Sequence, residues 1–99
     1  MSKPVRLDEE AQNELDAAVQ RYDHQTGRTE IGTELLDAVA QALLRLAERP
    51  ASHALANGVR SELGVRRRLL RRFPFAIVFV ELEDEIRVLA IAHSKRRPG

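Results

Sequence analysis

Val5 and Leu7 alternate with Arg6, the period of a short strand, and Pro4-Val5-Arg6-Leu7 runs directly into Asp8. Asp8 is placed to cap a helix, with Glu9 and Glu10 at the positive end of its dipole. Ala11, Leu15, Ala18, Val19 and Tyr22 then recur at helical spacing as one stripe, which closes at Thr26-Gly27. A second helix is predicted from Thr29 or Glu30, stopped by Pro50. Its apolar residues are Ile31, Leu35, Leu36, Ala38, Val39, Ala42, Leu43, Leu46 and Ala47. That stripe is broader than the first, which predicts the deeper burial of the two. So short a connection predicts an antiparallel helical hairpin.

Residues 50–64 are small and polar, contain Asn57-Gly58 and end at Gly64, and read as a loop. Arg66 to Leu70 is predicted as a strand with Leu69 or Leu70 toward the core and the arginines on the other face. Pro74 marks a turn or strand edge. Phe75 to Leu82 is apolar at nearly every position, the signature of a strand buried on both sides. Glu83-Asp84 supplies a turn into a last strand, Glu85 to His93. Strict alternation there puts Ile86, Val88, Ala90 and Ala92 on one side and Arg87, Leu89, Ile91 and His93 on the other. The order predicts an α+β fold, with an N-terminal strand and a two-helix antiparallel hairpin packed on a small antiparallel sheet. With 99 residues, it is expected to form a single domain over 1–99.

Composition changes this picture little. The chain is 43% hydrophobic and 31% charged, the balance of a globular protein. Without cysteine it has no disulfide, thiol nucleophile or cysteine-based zinc site. The longest apolar run, Phe75 to Val80, is too short to span a bilayer, and residues 1–10 lack the apolar core of a signal peptide. A cytoplasmic protein with no membrane partner is expected.

Charge changes it more. The net +1 conceals 6 Lys/Arg against 10 Asp/Glu in residues 1–57, and 10 against 5 in residues 58–99. Such a split points either to one face that recognises anions or to a solvated basic face paired with the acidic half. Six arginines fall between residues 60 and 72. In an unbroken strand Arg66, Arg68 and Arg72 share one phase, and Arg67 and Arg71 the other. Guanidinium forks suit phosphate and carboxylate, whereas charges on an edge strand also guard it against aggregation. Few aromatic residues are available for stacking bases.

His24, His53 and His93 show no metal-ligand spacing, and neither a phosphate-binding glycine loop nor a nucleophile elbow is present. Glu81, Glu83, Asp84 and Glu85 straddle the predicted turn and read as a solvated turn rather than a cation site. No metal or cofactor is expected. His93 is the histidine with candidate chemistry, because it ends a strand beside Ser94, Lys95, Arg96 and Arg97. There it either exchanges protons while cations hold negative charge, or simply packs at the strand end.

Arg68-Leu-Leu-Arg-Arg-Phe-Pro-Phe75, then Ile86-Arg-Val-Leu-Ala-Ile-Ala-His93 and Arg96-Arg97-Pro98, resemble the RelE/ParE toxins of type II toxin–antitoxin pairs. The resemblance covers nearly the whole chain in element order, including Val5-Arg6-Leu7-Asp8 leading to two helices. It implies a toxin of the plasmid-stabilisation type that inhibits growth and is neutralised by a cognate antitoxin. The ParE-like branch poisons DNA gyrase and is not a catalyst. The RelE-like branch cleaves mRNA on the ribosome without metal. Carried onto this chain, the ribonuclease reading uses Arg68 and Arg72 on phosphate, His93 as general acid or base, and Lys95 or Arg96 against transition-state charge. For target or antitoxin binding the residues are Arg66, Arg68, Arg71, Arg72, Lys95, Arg96 and Arg97. Phe75 and Phe79 stand where many relatives have tyrosine, and no aromatic follows Arg97-Pro98. The near-neutral charge and long helical hairpin favour the gyrase-directed branch over the ribonuclease, with a non-toxic interaction domain as the third reading.

Overall fold

The computed structural model describes residues 3–28, 30–48 and 64–94. Its elements follow in the order β1 (Val5–Leu7), α1 (Glu9–Thr26), α2 (Glu30–Glu48), β2 (Val65–Leu69), β3 (Phe75–Glu81) and β4 (Ile86–His93). The strands form one sheet in the order β1-β4-β3-β2. β3 runs antiparallel to both β2 and β4, but β1 pairs with β4 in parallel, so the sheet is mixed rather than antiparallel throughout. The whole helical hairpin and two further strands lie between β1 and β4 in sequence, ample length for the crossover that parallel pairing needs.

Asp8 has the extended backbone of an N-cap, yet its side chain does not cap the helix and lies 3.5 Å from Arg87 Nε instead. Gly27 ends α1 in the left-handed conformation (φ 67°), and its N–H donates to the Asp23 carbonyl at 2.9 Å. The hairpin closes tightly at Gly32, where a Cβ would stand 2.5 Å from Asp23 Oδ1 and 3.0 Å from Val19 Cγ1. No side chain fits there without displacing a neighbour.

Ala11, Leu15 and Ala18 from α1 meet Leu35, Val39, Ala42 and Leu46 from α2 in the core. Phe75, Ile77, Phe79, Ile86, Val88 and Ile91 complete it from the sheet. The broad stripe of α2 is divided in two: one part enters the core, while Leu36 and Leu44 are exposed (43% and 61%). β3 is one of the two interior strands, with Phe75, Ile77 and Phe79 toward the helices; on its other face Ala76 is buried and Val78 and Val80 are half-buried.

Two phase predictions are corrected. β4 does not alternate strictly: Ala90 opposes Val78 and Val88 opposes Phe79, so Leu89 is an extra residue, a β-bulge. The bulge returns Ile91 and His93 to the same face as Ile86 and Val88. Of the three arginines of β2, Arg67 pairs with Val78 and does face away from the core, but the other two do not. Arg66 pairs with Phe79 and Arg68 with Ile77, so both stand on the helix-facing side, the side of buried Leu70. Leu69, on the other face, is 55% exposed.

Candidate functional site

The helix-facing side of the sheet is a grid of rows. Leu70, Phe75 and His93 form one row, Arg68, Ile77 and Ile91 the next, and Arg66, Phe79 and Val88 the third. Arg66 and Arg68 stand on edge strand β2 and His93 at the end of β4, with apolar or aromatic side chains at the other positions. Arg68 and His93 therefore stand diagonally across the grid, with Cα atoms about 12 Å apart from strand spacing and rise. Phe75 and Ile77 lie between them.

His93 opens into a small cleft of about 120 Å³ with Arg21, Tyr22, Gln25 and Phe75. Its ring meets Phe75 edge-on at 5.2 Å. Tyr22 in turn packs edge-on against Phe73 at 5.6 Å. The sequence reading placed Tyr22 in a core stripe and did not consider Arg21; α1 docks on β4 so that both flank the histidine.

Arg68 opens into a different cleft, of about 210 Å³, between α2 and the end of β2. Arg71 and Arg72 join it there, and so does Arg45 from α2, which the sequence reading missed. Spacing places Arg45 one turn beyond Gln41 on a helix, but says nothing of that helix's distance from β2. Burial, then the like charges of Arg45 and Arg71, lower the Arg68 guanidinium below the ordinary arginine pKa. Arg71 and Arg72 lie in the bend after β2 rather than in a strand phase, and Arg72 Nη2 donates to Glu34 Oε2 at 3.1 Å. The structure thus unites Arg68, Arg71 and Arg72, and separates His93 from them. Lys95, Arg96, Arg97 and His53 lie outside the described residues.

The acidic hairpin turn is closed by a hydrogen bond from Leu82 N–H to the Glu85 carbonyl, and two of its carboxylates are in ion pairs. Lys3 reaches Glu81 at 3.0 Å, and Arg87 reaches Glu85 at 3.1 Å. On the far side of α2 an apolar groove of about 640 Å³ runs between that helix and β1. Val5, Ala40, Leu43, Leu44 and Ala47 line it. Among the described residues, no helix is long and apolar enough to cross a membrane.

Residues 5–98 match the model of the ParE toxin of the type II toxin–antitoxin system parDE. Among solved structures, the chain is similar to one from a chromosomal ParDE toxin–antitoxin system of P. aeruginosa, at 23% identity and a TM-score of 0.80. That similarity covers 95% of this chain and 98% of the other, and it concerns the fold. No curated protein sequence matches the chain. The family model spans every described element from β1 through α1 and α2 to the last strand, and on that match the chain belongs to the ParE toxin family of type II toxin–antitoxin systems.

Proposed function

We propose that this protein arrests growth by poisoning DNA gyrase in the cytoplasm, within a plasmid-stabilisation type of module, and that a cognate antitoxin neutralises it. One observation carries the choice between branches: His93 and the arginine group of Arg68, Arg71 and Arg72 open into different clefts. General acid–base cleavage of RNA needs the proton-transferring group within hydrogen-bond reach of a phosphate that the cations hold. This arrangement supports binding through the arginines better than catalysis with His93.

Arg66, Arg68, Arg71 and Arg72, with Lys95, Arg96 and Arg97, are assigned to target or antitoxin recognition. The apolar groove beside α2, with Leu44 at its rim, supplies surface of the kind that an antitoxin covers.

A second reading, ribosome-dependent mRNA cleavage, draws on the placement of Arg21 and Tyr22 beside His93. Expression without antitoxin separates the two. Gyrase poisoning is expected to give filamentation and a DNA-damage response with mRNA intact, and His93→Ala is expected to remain toxic. Position-dependent mRNA cuts that disappear on His93→Ala would replace the gyrase reading. Absence of any growth defect would leave a non-toxic interaction domain.

A further inference from the structure

We propose that the cleft between α1 and the end of β4, lined by Arg21, Tyr22 and Gln25, is a binding site for a phosphate group. Arg21 is the only lysine or arginine of α1, a helix that carries five carboxylates. A helical arginine is stabilised by a carboxylate three or four residues away. Those positions here hold Ala17, Ala18, His24 and Gln25, so no carboxylate on the helix is spaced to pair with it. Asp23 is turned instead toward α2, where its Oδ1 stands against Gly32. Among the described residues, the side chains of Arg21 and Gln25 and the Tyr22 hydroxyl make no hydrogen bond or ion pair.

Ala18, Arg21, Tyr22 and Gln25 follow the spacing of one helix face, and α1 docks that face beside Phe75 and His93. Ala18 and Phe75 are both buried and give the cleft an apolar base, and no carboxylate lines it. Three kinds of donor therefore converge on it: a guanidinium fork, a carboxamide and a phenol hydroxyl. A phosphate, with oxygens in several directions, uses all three, whereas a carboxylate is satisfied by the fork alone. The cleft is about 120 Å³, against about 30 Å³ per molecule of liquid water and roughly 300 Å³ for the smaller organic-ligand pockets. It admits a phosphate-sized anion and excludes a nucleoside, whose sugar would stay at the mouth. His93 forms the facing wall, edge-on to Phe75 at 5.2 Å, and has an interaction of its own, so it is not among the donors assigned to the phosphate.

Two sources present this chemistry, a nucleic acid and free phosphate, and the test below separates them. The site is separate from the cleft of Arg45 and Arg71, which α2 and the end of β2 form. The inference goes beyond the growth-arrest reading and does not rest on it. A phosphate held here is a binding contact, and the toxicity of His93→Ala decides separately whether cleavage follows.

The test titrates the isotope-labelled full chain with sodium phosphate at constant ionic strength and follows the side-chain N–H signals of Arg21 and Gln25 by NMR. Saturable shifts at millimolar phosphate are expected. Arg21→Gln, at an exposed position, is expected to weaken binding at least about tenfold. Gln25→Ala, and Tyr22→Phe with its ring still packed on Phe73, are each expected to weaken it about threefold. The spectrum of each variant reports its fold, and if one is lost the others carry the comparison. Arg71→Gln, in the other cleft, is expected to change nothing. A response that never saturates, indifference to Arg21→Gln, an equal loss with Arg71→Gln, or equal binding of acetate would each overturn the proposal. A short oligothymidylate that shifts the same signals at lower concentration, with the same loss on Arg21→Gln, supports the site with nucleic acid as its source. Phosphate binding without any response to the oligonucleotide supports it with free phosphate as the source. Growth inhibition does not enter these readings, so failure of phosphate to bind a chain that remains toxic counts against this inference alone.

Discussion

Replacing Glu14 by alanine is expected to destabilise the fold by about 2 kcal/mol, mostly through one backbone hydrogen bond. β1 has three residues and pairs only with Ile86, Arg87 and Val88. Beyond Val88 no described strand lies beside the outer edge of β4, because the chain has already turned at Asp8 into α1. The N–H of Ile91 donates instead to Glu14 Oε1 at 3.0 Å, in a partly buried position. Truncating Glu14 leaves that donor without its acceptor, at a cost of roughly 1–3 kcal/mol. Alanine is the better helix former, which returns at most about 0.5 kcal/mol. At about 4–8 °C per kcal/mol for a domain of this size, the net loss lowers Tm by roughly 8–16 °C. Glu14→Gln keeps an acceptor oxygen but loses the charge assistance, and is expected to cost about 0.5–1 kcal/mol. Urea denaturation followed by circular dichroism gives the two differences, and amide hydrogen exchange at Ile91 localises them. Native-like stability of Glu14→Ala, or unchanged protection of the Ile91 amide, would refute the reasoning.

The other expectations concern the hairpin, a surface ion pair and the antitoxin. Gly32→Ala is expected to cost about 1–2 kcal/mol in urea denaturation despite the better helix propensity of alanine, because its Cβ enters the space of Asp23 Oδ1 and Val19 Cγ1. Adding Asp23→Ala to the same chain should recover most of that loss, and additivity of the two changes would count against the packing argument. Gly27→Ala meets no steric obstacle but must adopt φ 67°, so a loss of roughly 1–2 kcal/mol is expected from backbone strain alone; no change in Tm would contradict this. Arg87→Ala removes contacts to Asp8 and Glu85, yet the arginine side chain is 39% exposed, so the same denaturation should register less than about 1 kcal/mol. In titrations with the cognate antitoxin, Leu44→Glu should weaken the complex more than raised salt does; near-complete dissociation at moderate salt would reverse that order of importance.

Local chemistry was legible in the sequence because it depends on near neighbours. The helical spacing of Ala11, Leu15 and Ala18, the left-handed terminus at Gly27 and the turn at Glu83-Asp84 all follow from side-chain period and backbone preference. Element order and the α+β class followed from the same patterns, and the family from the resemblance of the segments Arg68 to Phe75 and Ile86 to Pro98. Side-chain direction across the sheet did not. One extra residue at Leu89 reverses the phase of everything after it, so strict alternation separates His93 from Val88 where the structure places them on one face. Nothing in the local sequence distinguishes a bulge from an unbroken strand, since the bulge is decided by how β4 meets β3 and β1.

The arginines illustrate the same division. Their density between residues 60 and 72 was evident from the sequence, and so was the expectation of an anionic partner. Which of them converge was a tertiary matter: α2 brings Arg45 to Arg68 across 22 intervening residues, and Arg72 turns to Glu34 on that same helix. The sequence by itself determined the elements and the charge, because period and composition act over a few residues, and its motifs carried the resemblance to the family. The sheet's edges, the split of α2 into a core face and an open face, and the separation of His93 from the arginine cleft were decided only on packing. Each depends on contacts between segments that are remote along the chain.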